Sequence, residues 1–173
     1  METLFDILKI TIPAVIVMLT SVMLINRMIR NDQERRRNEI ALLNSRTVVP
    51  IRLQAYERII LFLERTSMES LLLRTNKAGM SSAQMHSAIL TTIRSEFEHN
   101  LSQQVYITPQ AWEVVKNARS NTIKIVNNVA GELPETATSV DLSKGLLEKV
   151  MELDKEPTQA AIEYLKGELA RLL

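Results

Sequence analysis

The sequence predicts an all-α protein, and three observations lead to this fold class. The 173 residues include only four glycines and five prolines, which leaves few positions for the turns of a β-rich fold. Aromatic residues make up 4% of the chain, whereas β-sandwiches and barrels draw on many aromatic and β-branched residues. Apolar residues recur at helical spacing, and no segment alternates with period two over a useful length. We expect an N-terminal transmembrane helix, a polar stalk and a small bundle of about four or five helices.

The first predicted element is a transmembrane helix over residues 4–26. Residues 10–25 carry no charge, and the apolar side chains before them extend the run toward the roughly 20 residues that cross about 30 Å of hydrocarbon. Lys9 and Arg27 stand where long side chains can reach the membrane surface. Two alternatives fit less well, because a signal peptide begins with basic residues and ends in small ones, and a buried core helix carries a polar face.

Basic residues set the predicted orientation of this helix. Five arginines follow it closely and a single lysine precedes it. An excess of Lys and Arg marks the cytoplasmic side of a membrane helix. We therefore expect the N-terminus outside, the C-terminal domain in the cytoplasm, and the bacterial inner (cytoplasmic) membrane as the location. The predicted membrane-interface residues are Lys9, Arg27, Arg30, Arg35, Arg36 and Arg37.

Residues 27–49 are predicted to form a basic juxtamembrane stalk. Helix-forming residues predominate in it, and residues 30–39 contain no apolar side chain. A helix that is polar on every side either bridges through solvent or lies against charged headgroups, and both interpretations stay open. The missing apolar heptad positions argue against a coiled coil there. Pro50 is expected to end the stalk, because the residue before a proline avoids the α conformation.

Residues 50–131 are predicted to form the core of the helical bundle. A helix beginning at Ile51 has one apolar side, and Ser67 is the expected N-cap of a short helix after it. Either Ser81 or Ser82 caps a further helix, which is expected to run to about Val105. Its core-facing side chains recur every four residues: Met85, Ile89, Ile93, Phe97 and Leu101.

Thr108 followed by Pro109 is among the clearest helix-start signals in the sequence, since it combines an N-cap with a proline in the first helical position. This helix is expected to run to about Ala130 and to stop at Gly131. The remaining segments are a polar linker at 132–141 and a C-terminal helical pair at 142–173, with helices at 142–154 and 157–173. Whether this pair packs on the bundle stays open.

Residues suited to catalysis or metal binding are few. The chain has no cysteine, and its two histidines, His86 and His99, are about 20 Å apart along one predicted helix. Glu96 and His99 have the spacing of the Glu-x-x-His pairs in di-iron bundles, but no second pair accompanies them. We interpret Glu96, His99 and Gln103 as partners in a hydrogen bond, either on the helix surface or between helices. Glycine-rich phosphate loops and nucleophile elbows are also missing, so we expect no enzyme activity, no cofactor and no metal site.

Tyr56 and Trp112 have two interpretations. Large aromatic side chains with one polar atom most often anchor a core, and they also serve as hot spots where a protein partner binds. We prefer the core and keep a partner surface at these two residues as the alternative.

Two segments carry a family resemblance: QAYERIILFLER at 54–65 and IRSEFEHNLSQQVYITPQAWEVVKNA at 93–118. Together with the apolar N-terminal run and the basic stalk, they resemble an uncharacterised bacteroidetal family of small membrane-anchored helical proteins. The resemblance covers nearly the whole chain and implies an inner-membrane protein of a Gram-negative cell. It implies no catalytic or binding residue.

The expected function is that of a non-enzymatic single-pass adaptor or accessory subunit, whose cytoplasmic helical domain binds protein partners. A self-associating membrane scaffold, and thus a homo-oligomer, is the first alternative. A membrane-bound enzyme or regulator that uses Glu96 and His99 is the second. The expected partners are the lipid bilayer and a protein of a membrane complex. The net charge of +1 and the acidic residues among the stalk arginines argue against nucleic acid.

Overall fold

The computed structural model describes the backbone of residues 2–172, and the side chains of these residues other than 2–14, 41, 44, 45 and 172. Within this range the backbone forms six α-helices, one 3-10 helix and no β-strand, which confirms the all-α prediction. The helices are α1 (Glu2–Arg65), α2 (Met68–Thr75), α3 (Ser82–Asn100), the 3-10 helix (Leu101–Val105), α4 (Pro109–Glu132), α5 (Ser139–Met151) and α6 (Pro157–Leu172).

The chain divides into an N-terminal unit, residues 1–48, and a C-terminal unit, residues 49–173, with the boundary inside α1. In the N-terminal unit every described side chain, from Val15 to Val48, is exposed. All the hydrophobic residues that are buried in the described part of the chain belong to the C-terminal unit. The two units therefore differ in whether their apolar side chains have partners within the chain.

The prediction that Pro50 ends the first helix is wrong, because α1 continues through it to Arg65. A proline inside a helix removes one backbone hydrogen bond and costs about 3 kcal/mol relative to alanine. The turns after Pro50 bury Tyr56, Ile59 and Phe62 completely or almost completely. Burying each such side chain contributes about 1.5–3 kcal/mol, so packing outweighs the local preference of the proline.

The C-terminal unit contains two hydrophobic cores, and α4 contributes to both. The first core lies among α1, α4 and α6 and includes Tyr56, Phe62, Trp112, Val115 and Leu165. The second core lies among α2, α3, α4 and α5 and includes Leu71, Ile89, Ile93, Val126, Leu142 and Leu146. The C-terminal helices thus pack on the bundle, with α6 in the first core and α5 in the second.

The helix starts follow the N-cap signals in the sequence. Ser67 caps α2 by accepting a hydrogen bond from the Ser70 amide, and Thr108 caps α4 with Pro109 at its start, as predicted. Of the two candidates for α3, Ser81 is the cap, and Gln84 completes a capping box with it. Local side-chain chemistry therefore fixes where these helices begin.

The helix ends and the linker differ from the predictions. Helix α4 passes through Gly131 and ends at Glu132, while α5 begins at Ser139 because Thr138 and Asp141 form a capping box. The segment without helix is consequently shorter than the predicted linker. Helix α3 ends at Asn100 and not near Val105. At this end the Asn100 side chain donates a hydrogen bond to the Glu96 carbonyl at 2.8 Å.

One short backbone link joins the starts of α3 and α5. The Ser82 amide donates to the Ala137 carbonyl and the Ser139 amide donates to the Met80 carbonyl, each at 3.0 Å. These bonds form an isolated antiparallel bridge between Ser81 and Thr138, the N-caps of the two helices. The second core is closed at this end by a backbone contact as well as by apolar packing.

Candidate functional site

The N-terminal unit presents an apolar surface that nothing in the described chain covers. Five consecutive residues, Val15 to Leu19, are 53–67% exposed. Successive residues are about 100° apart around a helix, so these five cover its whole circumference. Further along, Leu24 and Ile25 are exposed to a similar degree. This stretch of α1 has no polar face, unlike the surface helices of a water-soluble bundle.

Among the residues that the structure describes, no helix is both long enough and apolar enough to cross a membrane. The predicted span at 4–26 lies partly outside the described side chains, which begin at Val15. The part of the uncharged stretch whose side chains are described runs from Val15 to Asn26 and measures about 18 Å at 1.5 Å per residue.

The arginines predicted at the membrane interface are all exposed. Arg36 pairs with Asp32 at 3.1 Å, one turn earlier on the same helix. Both side chains are mostly in solvent, and exposed pairs of this kind contribute about 0.3–0.5 kcal/mol. Lys9 lies outside the described side chains. The other interface residues, Arg27, Arg30, Arg35 and Arg37, lie along the same exposed helix.

Tyr56 and Trp112 lie in the first core, which agrees with the preferred interpretation and corrects the alternative of a partner surface. Tyr56 is fully buried and Trp112 nearly so. The Trp112 ring stacks on Phe97, with the ring centroids 5.4 Å apart, and Phe97 meets Phe62 edge-on at 5.9 Å. The Arg119 guanidinium lies 4.3 Å from the centre of the Phe97 ring. These aromatic residues hold α1, α3 and α4 together.

Tyr56 is also part of a buried polar group in this core. Its hydroxyl oxygen has no hydrogen-bond partner among the described residues, and neither has Oε2 of Glu168. The other Glu168 oxygen accepts from the Thr108 hydroxyl, the N-cap of α4. Burial, followed by the negative charge of Glu168, raises the pKa of the Tyr56 hydroxyl above its usual value. The hydrogen bond between Thr108 and Glu168 ties α6 to the start of α4.

A second polar arrangement lies at the surface of the C-terminal unit and is here named the Glu96 cleft. It has a volume of about 240 Å³ and lies between the end of α1 and α3. The Glu96 carboxylate accepts from Arg65 of α1 at 3.5 Å and from Arg74 of α2 at 3.0 Å. One carboxylate therefore joins three helices. The lining residues are Arg58, Leu61, Phe62, Arg65, Glu96, His99 and Asn100.

Glu96 and His99 line the same cleft, but the hydrogen bonds of the Glu96 carboxylate in the described chain go to arginines rather than to His99 or Gln103. The sequence pattern identified Glu96 and missed Arg65 and Arg74, which are 31 and 22 residues away from it. The predicted hydrogen bond of Glu96 with His99 and Gln103 is therefore corrected to an ion-pair cluster with Arg65 and Arg74 between helices. The signal for Arg65 was its place two turns after Arg58 and one turn after Leu61, on the exposed side of α1.

The remaining histidine, His86, lies away from the Glu96 cleft. Its Nε2 atom is 2.8 Å from Oδ1 of Asn127, which connects α3 to α4. Within the described part of the chain, no group of three or more His, Asp or Glu side chains is arranged to hold a metal ion.

The fold and the surfaces described above define an all-helical protein with a two-core bundle after an apolar, basic helix. The model of a family of unknown function, DUF7935, matches residues 2–172, and the chain belongs to this family. No curated protein and no solved structure matches the sequence.

Proposed function

We propose that this protein is a non-enzymatic, single-pass adaptor or accessory subunit of the bacterial inner membrane. In this proposal the N-terminal unit anchors the chain in the bilayer, and the C-terminal unit binds a protein partner in the cytoplasm. The resemblance to a bacteroidetal membrane-anchored family is consistent with this location.

The observation that carries the proposal is the apolar exposure of α1 from Val15 to Ile25. Its large side chains face outward on every side of the helix and have no partner in the described chain. Contiguous exposed apolar surface of this kind marks a membrane or protein contact site. Lipid acyl chains cover a helix on all sides at once, whereas one protein partner covers a single face.

The length of the anchor depends on the residues before Val15. The sequence from 4 to 14 contains only Asp6 and Lys9 as charged residues. With these residues in helical conformation, the segment 4–26 measures about 35 Å, which is sufficient for the hydrocarbon core of about 30 Å. The arginines from Arg27 onward then lie at the cytoplasmic surface, where basic residues are retained.

Cysteine labelling tests this topology, because the natural chain contains no cysteine. Three single variants, Thr3→Cys, Ser21→Cys and Ser102→Cys, are treated in intact spheroplasts with a maleimide that does not cross membranes. We expect labelling of the first variant, labelling of Ser102→Cys only after permeabilisation, and labelling of Ser21→Cys only after denaturation. Labelling of Ser102→Cys in intact spheroplasts contradicts the orientation, and labelling of Ser21→Cys in native membranes contradicts the anchor.

A self-associating scaffold is the second candidate function. Past the polar residues 30–39, the side chains of Ile40 and Leu43 are exposed on one side of α1. Because the neighbouring heptad positions are Arg36 and Thr47, this pair supports a local contact between two copies of the chain and not a coiled coil. Disulfide crosslinking of an Ile40→Cys variant in membranes tests this candidate, and Asn38→Cys on the opposite side of the helix is the control. A dimer with Ile40→Cys alone supports it, and equal or absent crosslinking rejects it.

A further inference from the structure

We propose that the Glu96 cleft is the partner-binding site of the C-terminal unit, and that it takes an acidic peptide segment with one large apolar side chain. This inference rests on the proposed adaptor function and names the chemistry of its partner.

The charged side chains of the cleft are mainly basic. Three guanidinium groups, those of Arg58, Arg65 and Arg74, belong to the cleft or reach its carboxylate, and Glu96 is the one carboxylate among the residues that line it. Arg58 forms no ion pair with any residue in the described part of the chain. The cleft therefore has a surplus of positive charge, which is complementary to an acidic ligand.

The charged groups of the cleft lie at different depths. The Glu96 side chain is only 11% exposed, whereas Arg65 and Arg74 are 50% and 42% exposed. The carboxylate thus lies at the base and holds the arginines from below. A further Arg74 donor reaches the Arg65 carbonyl at 3.5 Å, and both arginine side chains keep exposed surface. Arginine presents five donors in a planar fork, and a second carboxylate can bind to it while the first stays in place.

One wall of the cleft is apolar. Leu61 is 54% exposed and lies on the same side of α1 as Arg58 and Arg65, and the buried Phe62 closes the wall behind it. An exposed leucine between two arginines loses contact with water when an apolar side chain covers it. Burying this surface contributes about 25 cal/mol per Å². A ligand with both a carboxylate and an apolar group uses the whole cleft.

The size of the cleft selects the class of ligand. Its volume of about 240 Å³ is below the roughly 300–1,000 Å³ typical of pockets for small molecules and cofactors. A depression of this size accommodates one or two side chains of a peptide that crosses the surface. Nucleic acid binds along an extended basic stripe with stacking aromatic residues, and the cleft offers neither. An acidic peptide is therefore the ligand that the geometry favours.

Glu96 acts in this proposal as a positioning residue, since it holds the arginines and repels rather than binds an acidic ligand. Arg58 is the best residue for a test, because its replacement breaks no ion pair in the described chain. Arg94 is the matched control, since it is an exposed arginine of α3 that is not among the cleft residues. The variants Arg58→Glu and Arg94→Glu change the net charge equally.

The test uses the full chain in mild detergent and two fluorescent peptides, Gly-Glu-Glu-Leu-Glu-Glu-Gly and the same peptide with Gln in place of each Glu. Fluorescence anisotropy at low salt measures the dissociation constant. We expect the acidic peptide to bind at least about tenfold more tightly than its Gln counterpart, with a loss of about tenfold in Arg58→Glu. Arg94→Glu is expected to change the affinity by less than about twofold.

Three results overturn the proposal: no binding of the acidic peptide up to about 1 mM, equal binding of the two peptides, or equal losses in the two variants. Preferential binding to vesicles of anionic lipid that is lost in Arg58→Glu also overturns it, because the cleft then recognises a membrane surface. The cysteine labelling described above reports on the anchor alone. If the peptide does not bind but the labelling is as expected, the proposal for the Glu96 cleft is rejected and the membrane topology stands. If the peptide binds but the labelling is not as expected, the topology is rejected and the proposal for the cleft stands.

Discussion

The N-terminal and C-terminal units both contain many aliphatic residues, but they leave them in different environments. In the C-terminal unit, Ile59, Ile89 and Leu142 are inaccessible to solvent. In the N-terminal unit, Ile16, Leu19 and Leu24 are more than half exposed. Hydrophobic content therefore does not by itself place a residue in a core. The spacing of polar residues decides it, because α3, α4 and α5 carry one apolar side, whereas the described side chains of α1 from Val15 to Leu19 are apolar on all sides.

We expect the largest effect on the free energy of unfolding when the same Leu→Ala substitution is made in each of the two units. Leu142→Ala removes a fully buried side chain from the second core and is expected to lower the free energy of unfolding of the C-terminal unit by about 2–5 kcal/mol. Leu24→Ala is the control in the N-terminal unit and is expected to leave that free energy unchanged, because Leu24 is 62% exposed and belongs to neither core. Urea unfolding followed by the fluorescence of Trp112 measures both. Equal losses contradict the separation of the units.

A smaller effect of opposite sign is expected at Gly131 in α4. A Cβ added there meets no atom within 4 Å, so Gly131→Ala is expected to stabilise the C-terminal unit by about 0.5–1 kcal/mol through the helix preference of alanine. Gly145 in α5 is the matched control, since a Cβ there comes within 2.9 Å of Cγ1 of Val129 in the second core. Thermal unfolding is expected to show a higher Tm for Gly131→Ala than for Gly145→Ala. A higher Tm for Gly145→Ala than for Gly131→Ala contradicts this description of the α4–α5 packing.

The smallest effect is a pH dependence confined to the C-terminal unit. Hydrogen bonds from the Thr138 amide and hydroxyl hold the pKa of Asp141 below its usual value. A carboxyl whose pKa is lower in the folded state contributes stability above its unfolded pKa and loses that contribution as the pH falls. We therefore expect Tm to decrease as the pH drops below about 4, and to decrease less in Asp141→Asn. If Tm depends on pH in the same way in the natural protein and in Asp141→Asn, the Asp141 carboxylate does not contribute to stability as proposed.

The parts of the fold that depend on local chemistry were predictable from the sequence. Ser67 and Thr108 cap their helices, because the side-chain oxygen of each accepts a hydrogen bond from the backbone amide three residues later. Pro50 shows the limit of local rules, because burial of the residues after it keeps the helix intact. Gly131 shows the same limit, since α4 continues one residue past it.

The candidate site was only partly predictable. Glu96 was identified from its spacing to His99, but its actual partners come from two other helices. Pairing of this kind depends on how α1, α2 and α3 pack, and no periodicity within one helix encodes it. Tyr56 and Trp112 illustrate the converse problem, because a large aromatic side chain has the same sequence signal in a core as at an interface.

The central claim is that lipid covers the exposed apolar residues of the N-terminal unit. Extraction of membranes with alkaline carbonate tests it directly, since this treatment releases peripheral proteins and retains spanning ones. We predict that the full chain stays in the membrane pellet, and that a Val17→Asp, Val22→Asp double variant moves to the supernatant, because each aspartate at the centre of a membrane helix costs about 2.5–3.5 kcal/mol. Recovery of the unmodified chain in the supernatant contradicts the claim.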